Sequence, residues 1–188
     1  MKRLLLFTSL VLGVPACNEC GPGPQYVDVT GLSAVLTRQA AGTATQVVTT
    51  GQALPVTELH LLLRPDTRLY GTAPVRTGGF AAMACEPADP TFTEQIDSIR
   101  ITSRYDFDGQ HPAGTSLNDL IRLDNGYGGS ILLSELLRTP QPVPMLVQNS
   151  LQFTQTPTSS ATQQFRVRYH QTNGEVYTAE TVAVMIRP

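Results

Sequence analysis

The chain has 188 residues, of which 15% are charged, against about 25% in an average soluble domain. Together with 14 Pro and 15 Gly, this low charge fits poorly to a coiled coil, a helical repeat or a charged disordered chain. The formal net charge is −2 at pH 7, and it becomes −4 without the first sixteen residues, because eleven Arg and no Lys then stand against fifteen acidic residues. With no basic excess, no nucleic-acid partner is expected.

The first sixteen residues have the layout of a secretory signal peptide. Lys2 and Arg3 form a positive start, residues 4–14 are an apolar run with two hydroxyl residues, and Pro15 ends that run. The run is too short for a membrane-spanning helix, which takes about twenty apolar residues. We therefore expect residues 1–16 to be removed on export.

Residues 14–17, Val-Pro-Ala-Cys, resemble the lipobox of bacterial lipoproteins, in which the Cys is lipidated and becomes the new N-terminus. Ordinary signal cleavage at the same bond is the alternative, and it would leave Cys17 as a thiol. A Cys placed directly after the cut favours lipidation. Residues 17–25, rich in Gly and Pro, are then a flexible tether, and residues 26–188 a single domain. The expected partner is a membrane, reached through an N-terminal lipid anchor.

Cys20 and Cys85 are the two cysteines that remain if Cys17 carries lipid. A disulfide between them would close a loop of about 65 residues and stabilise the fold by about 4 kcal/mol on the chain-entropy model. Two free thiols are the alternative, since sequence does not show their separation. Cys17 and Cys20 also match Cys-x-x-Cys, but without a second pair this spacing does not predict a redox or zinc site.

Several segments alternate apolar and polar residues, which is the pattern of half-buried strands. Residues 96–107 are the longest example, with Ile99, Ile101, Ser103, Tyr105 and Phe107 expected on the core face. The other predicted strands are residues 26–30 ending at Gly31, 32–39, 57–64 ending in a turn at Pro65 and Asp66, 80–85, 151–154, 163–170 and 175–186.

The last two of these strands are predicted to form an antiparallel hairpin. Asn173 and Gly174 lie between them, and an Asn-Gly pair between alternating runs is a strong signal for a tight primed turn. The core residues expected from this hairpin are Phe165, Val167, Val182 and Val184.

Two segments in the middle of the chain favour helix. Residues 117–123 follow Ser116 as a candidate N-cap, and residues 131–137 follow Ser130, although the latter segment fits either state. Many short strands with helices confined to one insertion predict an all-β fold, an antiparallel immunoglobulin-like β-sandwich with one or two short helices in a middle insertion.

One group of uncharacterised lipoproteins from Bacteroidetes-type bacteria is similar to this chain. The residues that carry the resemblance are Cys17, Tyr26, Asp28, Thr30 and Gly31, residues 96–107, residues 111–115 leading into residues 117–120, and residues 165–186. The resemblance implies a lipid-anchored protein of the bacterial cell envelope, at the outer membrane, without an assigned activity. Whether it faces the periplasm or the cell surface stays open.

Few residues carry the patterns of catalysis or metal binding. Asp106, Asp108 and Gly109 are spaced like the opening of a calcium loop, but Leu117 stands where such a loop needs Glu, so a polar turn is the better interpretation. No Gly-x-Ser-x-Gly motif accompanies the three histidines, of which only His111 is placed in a loop. We expect no enzyme, no metal and no cofactor. A hydrolase would need a pocket joining His111 to a Ser and a carboxylate.

A structural or accessory role in the envelope is the first functional hypothesis. The alternative is a carbohydrate- or peptide-binding module, which would present exposed aromatic side chains to a glycan or protein partner. Tyr70, Tyr127 and Tyr177 are the candidates for that role.

Overall fold

The computed structural model describes residues 25–40, 42, 44–71, 89–124, 129–159 and 161–188. The predicted signal peptide, Cys17, Cys20, Cys85, Tyr127 and the predicted strand at residues 80–85 lie outside the described residues. By proximity of Cα atoms, one compact unit comprises Val27–Arg68 and Phe92–Pro188, and the other Met1–Tyr26 and Leu69–Thr91. The first unit contains nearly all of the described chain.

The described residues form fourteen strands and two short α-helices. The strands are β1 (Tyr26–Arg38), β2 (Gln46–Val47), β3 (Ala53–Pro55), β4 (Leu59–Tyr70), β5 (Thr91–Phe92), β6 (Gln95–Ser103), β7 (Ile121–Asp124), β8 (Ser130–Leu132), β9 (Gln141–Pro142), β10 (Ser150–Phe153), β11 (Ala161–Gln163), β12 (Phe165–Gln171), β13 (Val176–Glu180) and β14 (Val184–Arg187). The helices are α1 (Leu133–Leu136) and α2 (Pro144–Gln148), and a single 3₁₀ turn spans Val56–Glu58.

The strands are arranged in three sheets. A seven-stranded sheet has the order β2-β1-β4-β10-β7-β8, with β5 also pairing with β1. A four-stranded sheet has the order β13-β12-β6-β9, and a three-stranded sheet the order β11-β14-β3, in which β14 and β3 are parallel. The pairs β1–β2, β4–β10, β7–β10, β11–β14, β12–β13, β6–β12, β6–β9 and β7–β8 are antiparallel.

One hydrophobic core is shared by all three sheets. Three phenylalanines show how the sheets meet: Phe153 of β10 lies between Phe107 and Phe165 of β12, with ring centroids 5.6 and 4.9 Å away. The core includes Leu61 and Leu151 from the seven-stranded sheet and residues of the other two. Such an all-β, mostly antiparallel fold confirms the predicted fold class, and the immunoglobulin-like topology stays a prediction.

The C-terminal hairpin is confirmed, but its loop differs from the prediction. β12 and β13 are antiparallel, with His170 opposite Val176. The N–H of Gly174 donates to the C=O of Gln171, and Gly174 has φ +90°. A turn followed by a left-handed Gly is the geometry of a three-residue hairpin loop, rather than the tight Asn-Gly turn.

Val182 was expected in the core, and this prediction is wrong, because the side chain is 38% exposed. Residues 175–186 are not one strand: β13 ends at Glu180, and β14 belongs to the three-stranded sheet. Thr181 explains the break, since its hydroxyl accepts the N–H of Phe165 and its own N–H donates to the Phe165 C=O. Phe165, Val167 and Val184 are fully buried, as predicted.

The helix predicted at residues 117–123 is absent, and its second half is β7. The Asn118 side chain lies along the edge of β6, where Oδ1 accepts the N–H of Ile101 (3.0 Å) and Nδ2 donates to the C=O of Ile99 (2.6 Å). The N–H of Leu117 donates to the C=O of Ile101. These bonds satisfy the β6 edge, and the N–H of Leu120 donates to the C=O of Leu117, so residues 117–120 form a single turn rather than the start of a helix.

The segment 131–137 contains both a strand and a helix, the two states that its pattern allows. Ile131 lies in β8, and the helix is only the four residues of α1. Ser130 does not cap it, because α1 has no side-chain cap, and the Ser130 hydroxyl accepts from Arg122 instead.

The predicted strand at residues 96–107 is confirmed only as far as Ser103. The Ser103 hydroxyl accepts the N–H of Tyr105, and the chain turns away there. Tyr105 is therefore exposed, contrary to the prediction, whereas Ile99, Ile101, Ser103 and Phe107 are buried as expected.

Strands β1 and β4 are longer than predicted, since neither Gly31 nor Pro65 with Asp66 ends a strand. Side-chain contacts accompany the extension, among them a hydrogen bond from Thr30 to the C=O of Asp66. A Cβ at Gly31 would lie 2.7 Å from the Asp66 carboxylate. Gly31 therefore marks a close approach between β1 and β4 and not a turn.

Candidate functional site

The loop from residue 104 to residue 120 is here called the β6–β7 loop. It contains Asp106, Asp108 and His111, the residues considered above for calcium binding and for hydrolysis. Its aspartates accept hydrogen bonds from the loop's own backbone. Asp106 Oδ1 accepts the N–H of Ala113, and Asp108 Oδ1 accepts the N–H groups of Gln110 and His111, each at 2.8 Å. This is the geometry of an Asx turn, in which the carboxylate shapes the loop.

His111 lies between two carboxylates in this loop. Its Nδ1 is 2.8 Å from Asp108 Oδ1, and its Nε2 is 3.1 Å from Asp119 Oδ2. The His111 side chain is 12% exposed, whereas that of Asp119 is 60% exposed. Both ring nitrogens are thus occupied, which leaves no free lone pair on the imidazole for a metal ion or for a nucleophile's proton.

The electrostatics of the loop favour a charged imidazolium. The hydrogen bond with Asp108 raises the pKa of His111 most, and Asp119 adds to this effect, while partial burial opposes it. Burial also disfavours ionised Asp108, but hydrogen bonds from His111 and from two backbone N–H groups outweigh it, so the pKa of Asp108 is below its ordinary value. Among the described residues, no three or more His, Cys, Asp or Glu side chains are grouped as a metal site would require.

A second group of polar residues lies on the seven-stranded sheet, on the side opposite the core. Leu61, Leu151 and Leu123 are buried in β4, β10 and β7, so the alternate residues of those strands point the other way. We call these residues the outer polar face: His60, Arg122, Asp124, Ser130, Ser150 and Gln152. Gln152 pairs across the strands with His60 and with Arg122, and Ser150 with Asp124.

The outer polar face is linked by side-chain hydrogen bonds and borders a cavity. Gln152 donates to Asp124 (3.1 Å), and Arg122 donates to Ser130 (3.0 Å). The cavity has a volume of about 600 Å³ and is lined by Arg122, Asp124, Gly129, Ser130, Gln152, Phe153 and Thr154. Amide, carboxylate and guanidinium groups around an open cavity are suited to hydrogen-bonding a polar ligand.

His60 and Ser150 form a Ser–His contact that the sequence pattern does not predict. His60 Nδ1 lies 3.2 Å from Ser150 Oγ. Burial lowers the pKa of His60, and the negative charge of Asp124 partly offsets this. A hydrolytic triad also requires a carboxylate hydrogen-bonded to the histidine, and none is found at His60 within the described part of the chain. Ninety positions separate the two residues, and only the β4–β10 register brings them together.

The tyrosines expected to bind a ligand differ in their surroundings. Tyr70 is exposed and contacts exposed Tyr26, with ring centroids 5.6 Å apart and the ring planes tilted by 32°. Tyr177 is not available, because its single hydroxyl proton is shared between two acceptors, the C=O of Val29 (2.8 Å) and the Glu175 carboxylate (2.9 Å). Burial and Glu175 raise the pKa of Tyr177 to about 12. Of the predicted aromatic candidates within the described residues, Tyr70 alone is placed for contact with a partner.

Comparisons with known proteins identify no relative of this chain: no family model, no curated protein and no solved structure matches it. In the described part of the chain, no helix has the length and apolar character needed to cross a membrane.

Proposed function

We propose that this chain is a lipid-anchored protein of the bacterial cell envelope, attached to the outer membrane through Cys17, with a structural or accessory β-domain. The Val-Pro-Ala-Cys pattern and the resemblance to envelope lipoproteins support the anchor. An anchor at Cys17 would leave only a short tether, because Tyr26 begins β1 eight residues after Asn18. Eight extended residues reach at most about 26 Å, which keeps the domain close to the membrane surface.

The hydrogen bonds around His111 are the observation that supports a structural or accessory role. The loop that contains Asp106, Asp108 and His111 uses these side chains to hold its own backbone and to contact Asp119. Catalytic acids and bases must instead reach a substrate from a cleft. The residues of the β6–β7 loop therefore stabilise the domain, and we assign them no reaction.

A detergent-partition experiment tests the anchor. Full-length wild type should enter the detergent-rich phase, and Cys17→Ser should stay in the aqueous phase, because lipid on this one residue provides the membrane affinity. Cys20→Ser is the matched control, since it removes a thiol three residues away and should partition like wild type. Equal partition of all three proteins would contradict the proposal.

The outer polar face favours a second candidate, a carbohydrate- or peptide-binding module. Its cavity places Arg122, Asp124 and Gln152 side by side, and such planar polar groups hydrogen-bond sugar hydroxyls and peptide groups. On an array of neutral oligosaccharides, binding by wild type that is lost in Arg122→Gln would support this candidate. Arg138→Gln, an exposed arginine outside the cavity, is the matched control. Binding that both variants retain would contradict it.

A further inference from the structure

Four arginines share the outward side of the four-stranded sheet. Phe165, Val167 and Tyr169 of β12 are buried, so Arg166 and Arg168 point away from the core. Arg100 of β6 is directly opposite Arg168 in the antiparallel register. Arg104 follows the end of β6, and all four arginines are exposed. We call this side of the sheet the arginine face.

The arginine face has a net positive charge in a chain whose overall charge is negative. Among the paired outward positions of β6, β12 and β13, only Glu180 is acidic, and it forms an ion pair with Arg166 (2.6 Å). Four arginines stand against Glu180 and the exposed Asp97 of β6, which leaves a formal charge of +2. The Arg100 side chain donates to the C=O of Gly114 (3.3 Å), whereas the Arg168 side chain makes no hydrogen bond or ion pair with the described residues.

The pairing of Arg100 with Arg168 has a cost in the isolated domain. Like charges directly opposite each other on antiparallel strands repel and destabilise the sheet. An anion bound between the two guanidinium groups would replace this repulsion by attraction of both groups to the anion. Each guanidinium can donate two parallel hydrogen bonds to a phosphate. Nearby, Arg104 and Arg166 border a second open cavity of about 420 Å³.

We propose that the arginine face docks on the phosphate groups of an anionic phospholipid surface. The inference rests on the proposed function, because the anchor at Cys17 would hold the domain within about 26 Å of the headgroups. The arginines are spread across the outward side of a sheet rather than enclosed in a pocket, which suits an extended charged surface. Each arginine near an anionic leaflet contributes about 1 kcal/mol of attraction. Docking would orient the β-domain with the four-stranded sheet toward the lipid.

Vesicle co-sedimentation tests the proposal without requiring lipidation. The reference protein is the full chain carrying Cys17→Ser, and the probes are vesicles of phosphatidylglycerol with phosphatidylcholine, and of phosphatidylcholine alone as background. Arg100→Gln with Arg168→Gln should weaken binding to the anionic vesicles by about 30-fold. The matched control, Arg64→Gln with Arg187→Gln, removes the same charge from exposed positions of the other two sheets and should stay within about twofold of the reference.

The outcomes separate this proposal from that of the lipid anchor. Binding to anionic vesicles that weakens with salt and is lost only in the arginine-face variant supports docking. Equal loss in both double variants overturns it, because net charge alone would then explain binding. Binding to immobilised heparin without binding to vesicles also overturns it, in favour of an acidic glycan. An unlipidated Cys17 in cells would leave all of these results unchanged.

Discussion

Asn118 shows how one side chain decides the local structure of this protein. Its sequence context, directly after Ser116 and Leu117, favours a helix start. In the fold, the amide both donates to and accepts from the backbone of β6 and so acts as a short piece of strand. Local propensity does not anticipate this, because the partner lies 17 to 19 residues earlier in the chain.

Replacing Asn118 by Leu should destabilise the domain by about 2 kcal/mol, since it leaves the N–H of Ile101 and the C=O of Ile99 without these partners. Urea unfolding would measure the loss. Gln155→Leu is the matched control, because Gln155 is exposed, and its free energy of unfolding should stay within about 0.5 kcal/mol of wild type. Equal stabilities for the two variants would show that the amide is not needed at the β6 edge.

His111 predicts a pH dependence of stability. Its pKa in the folded protein lies above the ordinary 6.5, first because of Asp108. A raised folded pKa gives stability that is fully present below the unfolded pKa and is lost as the pH rises through the folded value. The advantage of wild type over His111→Gln in urea unfolding should therefore be larger at about pH 5.5 than at about pH 8.5. The same difference at both pH values would contradict the charged contact.

Among the elements, the end of β13 shows where the alternation of apolar and polar residues stops predicting which side chains are buried. Val182, Val184 and Ile186 have the same spacing, and alternation alone places all three on one face. The structure buries only Val184 and Ile186, because the chain changes sheets after Thr181. The hairpin itself was predictable, since its strands are adjacent in sequence and their pattern is local.

Val184→Asp should cost about 3 kcal/mol or more, because it buries a carboxylate without a partner. Val182→Asp makes the same chemical change two residues earlier, at an exposed site, and should cost about 0.5 kcal/mol or less. Thermal unfolding of the two variants would measure the contrast. A similar fall in Tm for both would show that β13 continues in one sheet through residue 186.

The candidate sites form where strands that are distant in sequence pair with each other. The sequence pattern does not predict these pairings. His60 and Ser150 meet only because β4 pairs with β10, and Arg100 meets Arg168 only because β6 pairs with β12. The alternation in β6 and β12 does predict which arginines point outward. What it lacks is the register, which depends on packing between segments more than sixty residues apart.

For the whole molecule, the predicted disulfide between Cys20 and Cys85 would join the tether to the domain. Labelling of freshly isolated protein with an alkylating reagent should modify neither thiol without reductant and both after reduction. Cys85→Ser should then expose Cys20 to the reagent. Labelling of both thiols in the unreduced wild-type protein would contradict the pairing.

The anchor at Cys17 is the central claim, because both the location in the envelope and the closeness of the arginine face to lipid depend on it. Intact mass spectrometry of the protein extracted from membranes tests it most directly. The predicted result is a chain beginning at Cys17 whose mass exceeds that of residues 17–188 by a lipid group on this cysteine. An unmodified Cys17, or a mature chain that begins at another residue, would contradict the claim.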